Sequence, residues 1–338
     1  MSLIYSTPYI IAEIAQAHNG SLDTAHRYID ALSVTGIDAI KFQTHIAEAE
    51  SSIFEPFRIK FSEQDKSRYD YWKRMEFTLK EWKGLKEHCD AVGLEFMSSP
   101  FSNAAVDLLE DVGIKTYKIG SGEVNNFLLL ERIVQTGKPV ILSSGMSSFE
   151  ELDKTVAFLK SKGVEFSILQ CTTSYPTKPE QYGLNVIQEL KSRYEVPVGF
   201  SDHSANIGTA IAAVTLGADI LEFHAVFSRS DFGPDATSSL TIDEIKMLSV
   251  AVRNIKKAIK NPLDKSDNSK FKELKVIFEK SLGVNKALKA GHVLGFSDLE
   301  SKKPANKGIS AANFREVIGR KLKVDKAQWD FLNEEDLV

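Results

Sequence analysis

The chain has little that would suit export, a membrane or a nucleic acid. Two cysteines among 338 residues cannot build a disulfide framework. Cys89 and Cys171 sit in the apolar runs "EHCDAV" and "ILQCTT", as small core residues of a reducing compartment do. No apolar run approaches the roughly 20 residues that cross a bilayer. The N-terminus lacks a basic start followed by an apolar stretch, so a cytoplasmic protein is expected. A basic surplus is missing too: 42 Lys and Arg stand against 46 Asp and Glu, a net charge of −4, which argues against a nucleic-acid partner. What remains, with 43% hydrophobic residues, is a soluble globular chain of one large or two unequal domains.

Short β-rich runs bounded by turn residues recur along the chain. They fall at 9–15 ("YIIAEIA"), 39–45 ("AIKFQTH"), 94–100 ("LEFMSSP"), 116–122 ("TYKIGSG"), 139–145 ("PVILSSG"), 166–172 ("FSILQCT"), 197–203 ("PVGFSDH") and 219–225 ("DILEFHA"). Between them lie segments with apolar residues at helical spacing, such as "SLDTAHRYIDALSVTG", "NAAVDLLEDVG" and "SFEELDKTVAFLKSKG". Several close on Gly, as helix ends commonly do. Eight strand–helix repeats within about 250 residues predict an α/β fold, a (β/α)8 TIM barrel. An open doubly wound sheet is the weaker alternative, because no Gly-rich dinucleotide fingerprint follows the first strand. Residues 46–78 are too long and too aromatic for a plain loop and predict an insertion over the barrel mouth.

Barrel active sites lie at the C-terminal ends of the strands, and polar residues gather there on nearly every strand. They are Glu13 on the first; Lys41, Gln43 and His45 on the second; Ser99 on the third; Lys118 on the fourth; Ser143 on the fifth; Thr172 on the sixth; Ser201 and His203 on the seventh; Glu222 and His224 on the eighth. Spacing of two puts the members of each set on one face. One polar rim residue is unremarkable, but buried lysines and carboxylates cost several kcal/mol unless paired or ligated. Lys41 and Lys118, with Ser99, Ser121, Ser143 and Ser201 as donors, describe a receptor for a small, highly charged anion. The plain alternative for each lysine is a salt bridge to Glu13 or Glu123. His203 and His224 end adjacent strands with a carboxylate beside each, Asp202 and Glu222. Two imidazoles with open positions suit a divalent metal, Mn²⁺ first, with Mg²⁺, Co²⁺ or Zn²⁺ as alternatives.

The runs "IAEIAQAHNGSLDTA", "DAIKFQTH", "FMSSPF", "YKIGSGEVNN", "PVILSSGM", "LQCTTSYP", "VGFSDH" and "FGPDATSSL" resemble, in order, the signatures of the sialic acid synthase (N-acetylneuraminate synthase) family. That family includes legionaminic and pseudaminic acid synthases and spore-coat polysaccharide biosynthesis proteins. The resemblance covers almost the whole chain. It implies a transferase that condenses phosphoenolpyruvate with an N-acylated hexosamine, water attacking C2 and phosphate leaving, to a nine-carbon 2-keto acid. It assigns phosphoenolpyruvate to Lys41, Ser99, Lys118, Ser121, Ser143 and Ser201. His203 and His224 then hold the metal, and Glu13 handles protons at the pyruvyl carbon. Gln43, Thr173, Tyr175 and Asp235 fall where the sugar is contacted.

Residues 1–260 are expected to form the barrel and 261–280, lysine-rich and polar, a linker. Residues 281–338, where short strands and turns replace the helix rhythm, form a small β-rich domain. It is similar to the antifreeze-like (SAF) domain of the same family, which implies a domain-swapped homodimer with Lys303 reaching the partner's sugar site. Three positions depart from the family pattern. Ala17 replaces an Asn before His18, Phe223 replaces a basic residue, and Lys303 replaces an Arg whose planar fork a lysine lacks. Two other functions stay open: a Schiff-base aldolase using Lys118 or Lys41, and a non-catalytic sugar-binding member of a polysaccharide biosynthesis locus.

Overall fold

A computed structural model describes residues 8–57, 64–231 and 233–338. Eight parallel strands follow one another around a closed sheet: β1 (Tyr9–Ala15), β2 (Ala39–Thr44), β3 (Glu95–Pro100), β4 (Tyr117–Ile119), β5 (Val140–Ser143), β6 (Phe166–Cys171), β7 (Val198–Asp202) and β8 (Ile220–Val226). Closure is made by β1 against β8, with Tyr9 opposite Ile220 and Glu13 opposite His224. Each strand is followed by at least one helix, as the sequence periodicity indicates. The fold is a TIM barrel.

The strand pattern builds a floor and a site at once. Ile11, Ala39, Met97, Ile141, Leu169 and Ile220 pack together in one cluster inside the barrel. Two residues further along the same strands come Glu13, Lys41, Ser99, Ser143, Cys171 and Glu222, all buried. Because side chains alternate with period two, the apolar layer plugs the lower barrel and the polar layer lies directly above it. Gly199 belongs to this packing: a Cβ there would lie 2.4 Å from Leu169 Cδ2 and 2.5 Å from the Ile220 carbonyl oxygen.

The outward-facing strand residues and the helices share a second, larger core that includes Phe42, Trp82, Phe96, Tyr117 and Phe223. Phe223 therefore faces away from Glu222 and His224, into the packing between strands and helices. Ala17 is half-buried against this core. Helix starts are fixed locally. Ser148 and Glu151 form a capping box before helix Phe149–Ser161, as Thr78 and Glu81 do before helix Leu79–Ala91, each satisfying backbone N–H groups the first turn leaves open.

Two expectations shift in detail. The fourth strand is shorter than 116–122, because "GSG" turns the chain into a 3-10 turn at Ser121–Glu123. Residues 46–78 do form an insertion: helices Ala47–Glu50 and Arg68–Met75 are joined by a small cluster of Ala47, Tyr71, Trp72 and Met75. Residues 58–63 of it lie outside the described residues.

A second compact unit spans Pro262–Val338. It includes the stretch expected as linker, where helix Lys272–Phe278 forms and the Val276 carbonyl accepts from Ala305 N–H. Strands at Ser281–Val284 and Leu299–Lys302 pair antiparallel. Isolated bridges such as Leu288 with Lys326 extend this β character. Leu282, Val284, Leu294, Val317 and Leu332 belong to its own core.

His18 is a titratable group built into the barrel unit's packing. Its ring lies 4.8 Å from that of Phe77, Nδ1 accepts from Gly20 N–H at 3.0 Å, and Nε2 is buried without a partner. Burial, reinforced by His45 and Arg74, pulls its pKa down to about 3. A folded-state pKa below the unfolded value means stability is complete above about pH 6.5 and is lost as pH falls toward 3, by about 1.4 kcal/mol per unit. Denaturant unfolding of wild type and His18→Asn between pH 7 and pH 4 checks this. The wild type is expected to lose more stability over that interval than the variant, and equal losses would contradict the assignment.

Candidate active site

The polar layer is held by a buried network of four charged side chains. Lys41 Nζ lies 2.9 Å from Glu13 Oε1 and 3.5 Å from Glu222 Oε1. Lys118 Nζ lies 3.4 Å from the same Glu222 oxygen and donates to Ser143 Oγ at 2.7 Å. Ser201 Oγ donates to Glu222 Oε1 at 3.0 Å, and Gln43 Nε2 donates to Glu13 Oε1 at 2.7 Å. All four charged groups are at least 97% shielded from solvent. Two lysines balance two carboxylates, yet Ser99 Oγ and Glu222 Oε2 are left buried with no partner. Unsatisfied buried polar atoms beside a cavity mark a place where a ligand completes the bonding.

Burial acts on both lysines, with opposite outcomes. For Lys41 it lowers the pKa, but Glu13 and Glu222 outweigh it and the net shift is upward. For Lys118 burial prevails, helped by Lys41 and opposed by Glu222, and the net shift is downward. Burial pushes Glu13 up, but Lys41, His224 and Lys118 hold its carboxyl well below the usual carboxylate range.

One layer higher, the rings of His203 and His224 lie 5.3 Å apart. His203 Nδ1 donates to the Thr172 carbonyl at 2.9 Å, and the imidazole also bonds the Cys171 thiol. His224 Nε2 lies 3.4 Å from Glu13 Oε2. Burial lowers the His224 pKa, with Glu13 opposing. For His203 burial is outweighed by Cys171 and the Thr172 carbonyl, and the pKa rises to about 9. Among the described residues no group of three or more His, Cys, Asp or Glu forms a cluster able to hold a metal.

Two joined cavities result. The deep one, about 70 Å³, is lined by the charged network, Ser99, Ser121, Ser143, Cys171, Ser201 and both histidines. The outer one, about 400 Å³, is bounded by strand ends and by Glu50, Glu55, Arg68, Tyr71 and Trp72 of the insertion. Gln43, Phe101, Gly120, Ser121, Tyr175 and His224 line both. Gly145, at φ +26°, lets the two halves of the rim close up, since a Cβ there would meet Ser121 Oγ at 1.9 Å and Thr173 Oγ1 at 2.8 Å.

A profile of the NeuB family matches residues 28–263 of this arrangement. The chain belongs to the NeuB family. Over 317 residues it is 35% identical to the N,N'-diacetyllegionaminic acid synthase of Campylobacter jejuni, covering 92% of this chain and 94% of that protein. Human N-acetylneuraminate-9-phosphate synthase is 30% identical over 97% of this chain and 92% of its own length. Among solved structures, the N-acetylneuraminic acid synthetase of Leptospira borgpetersenii in complex with citrate matches with a TM-score of 0.70 at 32% identity. That match covers 80% of this chain and 91% of the other. Relatives named as synthases across this range make this NeuB-family chain an enzyme.

The NeuB barrel brings together most of the residues singled out from sequence. Glu13, Lys41, Gln43, Ser99, Lys118, Ser121, Ser143, Ser201, His203 and His224 line the deep cavity. Thr173, Tyr175 and Asp235 line the outer one. Lys303 lies in the second unit, its Nζ 4.9 Å from the Phe278 ring.

Several details differ from expectation. Glu222, not Glu123, is the second carboxylate of the lysines, whereas Glu123 accepts from Asn126 Nδ2 at 2.7 Å. Glu222 also orients neither imidazole. It is opposite Ile11, one layer below His224, which is opposite Glu13. Asp202 is turned to Ser204, accepting from its N–H and Oγ at 2.8 and 3.0 Å. On β6 it is Cys171 that lines the deep cavity, while the Thr172 hydroxyl donates to the Gln181 carbonyl. The insertion pins His45, which stacks 3.8 Å from Trp72 and 4.4 Å from Phe101 and pairs with Glu50 at 2.5 Å.

Removing Glu222 tests the network. Glu222→Ala leaves two buried ammonium groups short of a counter-charge, and a loss of about 3–5 kcal/mol in unfolding free energy is expected. Inorganic phosphate, able to stand in for the missing carboxylate, should restore part of that loss by mass action. Absence of stabilisation by phosphate in both the variant and the wild type would show that the cavity is no anion receptor.

Proposed function

We propose that this NeuB-family enzyme condenses phosphoenolpyruvate with an N-acylated hexosamine to a nine-carbon 2-keto acid and phosphate. The observation that carries the proposal is the deep cavity itself: two lysines and four serines, the Ser99 hydroxyl among them unpartnered, around a space sized for a small anion. Lys41, Lys118, Ser99, Ser121, Ser143 and Ser201 hold the phosphate and carboxylate oxygens through charge-assisted bonds. C3 of the enol attacks the sugar aldehyde. Water adds to C2, and the tetrahedral carbon expels phosphate by breaking its C–O bond.

Glu13 is the base for that water. Its depressed pKa keeps it ionised, and Lys41 and Gln43 fix its orientation. Gln43, Thr173, Tyr175 and Asp235 contact the sugar in the outer chamber. Lys303 of a second copy completes the chamber in a domain-swapped homodimer whose small domain is of the antifreeze-like (SAF) kind. Phe271, Leu274, Ile277 and Phe278, apolar yet about half exposed on the second unit, suit burial between copies.

A divalent cation, Mn²⁺ before Mg²⁺ or Co²⁺, fits His203 and His224. With two lysines already matched by two carboxylates, a phosphoenolpyruvate anion calls for further positive charge, and the His203 Nε2 is directed to no protein carbonyl. When bound, the cation polarises the acceptor carbonyl as a Lewis acid. Location supports little beyond the finding that no helix among the described residues is long and apolar enough to cross a membrane; a cytoplasmic enzyme is our proposal.

The lowered Lys118 pKa favours a second reading, a Schiff-base aldolase. Against it stands the commitment of that ammonium to Glu222 and Ser143. Phosphate release from phosphoenolpyruvate with Mn²⁺ and a panel of N-acylated hexosamines separates the two. Release is expected to need both sugar and metal, to stop with EDTA, and to fall by about 10²–10⁴ in kcat for Glu13→Gln. Borohydride trapping of pyruvate on Lys118, with activity surviving EDTA, would replace this proposal with the aldolase. No release with any sugar despite bound metal would favour a non-catalytic sugar-binding role.

A further inference from the structure

His45 follows Lys41 and Gln43 at the same spacing of two along the inward face of β2, but its ring meets the insertion instead of the charged floor. The ring lies between two aromatic side chains, its centroid 3.8 Å from that of Trp72 and 4.4 Å from that of Phe101, at interplanar angles of 16° and 8°. Stacking on both sides fixes the ring plane and leaves only the edge for polar contacts. That edge is fully used. Nδ1 faces Glu50 Oε1 at 2.5 Å and Nε2 faces Gln43 Oε1 at 3.2 Å, with the His45 and Glu50 side chains only 3% and 8% exposed.

The far end of the chain of bonds decides where the hydrogens sit. Glu13, paired with Lys41 at 2.9 Å, presents a carboxylate that only accepts, so Gln43 turns its amide N–H₂ to Glu13 Oε1, at 2.7 Å, and its carbonyl oxygen to His45. Gln16 Nε2 donates to that same carbonyl oxygen at 3.0 Å. A carbonyl oxygen likewise only accepts, so His45 Nε2 carries a hydrogen. At 2.5 Å a bare nitrogen and a carboxylate oxygen would repel, so a second proton lies between Nδ1 and Glu50; whichever of the two holds it, Nε2 remains a donor. Glu50 thus orients the imidazole as the acid of a catalytic triad orients its histidine, the imidazole orients the Gln43 amide, and the amide orients Glu13.

We propose that His45 is a positioning residue: held by Glu50 and by the Trp72 and Phe101 rings, it locks the Gln43 amide onto Glu13 and so sets the aim of that carboxylate. An acid on the insertion thereby acts, through two side chains, on a group at the floor of the barrel. For its effect on rate the inference rests on the reading of Glu13 as the base of the condensation; the locking of the amide stands apart from that reading.

Three substitutions in the full chain separate orientation from packing. His45→Phe keeps a ring in the stack and removes both hydrogen bonds, His45→Gln puts an amide N–H₂ near the Nε2 position, and His45→Asn puts one near Nδ1. With phosphoenolpyruvate, Mn²⁺ and an N-acylated hexosamine, kcat is expected to fall about 10–100-fold in His45→Phe and His45→Asn. His45→Gln should retain more than either, and KM for phosphoenolpyruvate should not change. In a Glu13→Gln background His45→Phe should cost little further, because no carboxylate is left to aim. A packing role predicts His45→Phe closest to wild type; that order, or equal losses in both backgrounds, overturns the inference. If the His45 variants do not fold, Glu50→Gln, which leaves the stack in place, is expected to show the same dependence on Glu13. Nitrogen-15 spectra of the wild type read the bonds without turnover: His45 Nε2 should carry a hydrogen and the Gln43 amide protons should be protected from exchange, with protection lost in His45→Phe. A bare Nε2 overturns the inference whatever the activity. A protonated Nε2 and a protected amide, with no phosphate release under any condition, uphold the positioning and remove the condensation reading.

Discussion

Everything in the barrel interior is arranged around one constraint: Lys41 and Lys118 are buried together and must be neutralised. Each charge costs several kcal/mol to take out of water, and two like charges side by side cost more. Glu222 answers by lending one oxygen to both ammonium groups and to Ser201, and Glu13 answers from the neighbouring strand. Because strands fix these groups, the charged floor is held in place. The same cations keep the Glu13 carboxyl ionised.

The strand alternation makes this arrangement affordable for the fold. The apolar layer of Ile11, Met97, Ile141, Leu169 and Ile220 closes the barrel below the charges, and Phe42, Tyr117 and Phe223 anchor the same strands outward against the helices. The chemistry is thus built on rigid elements with two supporting cores. The mouth is built differently, from 3-10 turns and an inserted pair of helices. Glu50, Glu55, Arg68 and Trp72 of that insertion line the outer chamber, apart from the charged floor.

Much of this was legible in the sequence. Eight short runs with turn residues at regular intervals fix the barrel, and polar residues at spacing two on successive strands identify Glu13, Lys41, Ser99, Lys118, Ser201, His203 and His224. Side-chain reach and strand register were not legible. Glu222 and His224 share a face, yet the rise along the strand puts them on different layers, so the acid meets lysines and the imidazole meets Glu13. Phase was the other difficulty. A shift of one residue at the end of β6 exchanges Thr172 for Cys171 as the inward side chain, and adjacency in "SDH" suggested a role for Asp202 that its bonds to Ser204 rule out. Gln16 and Glu50 carry no sequence signal for their roles, since both depend on contacts between a strand end and an insertion.

The central claim is that the charged floor is an anion receptor whose lysines exchange a protein carboxylate for a substrate. A crystal structure of the enzyme soaked with phosphoenolpyruvate in the absence of sugar tests it most directly. The account requires the anion in the deep cavity, with oxygens within hydrogen-bond distance of Lys41 Nζ, Lys118 Nζ and Ser99 Oγ. Phosphoenolpyruvate bound elsewhere, with both lysines still closed on Glu13 and Glu222, would contradict it.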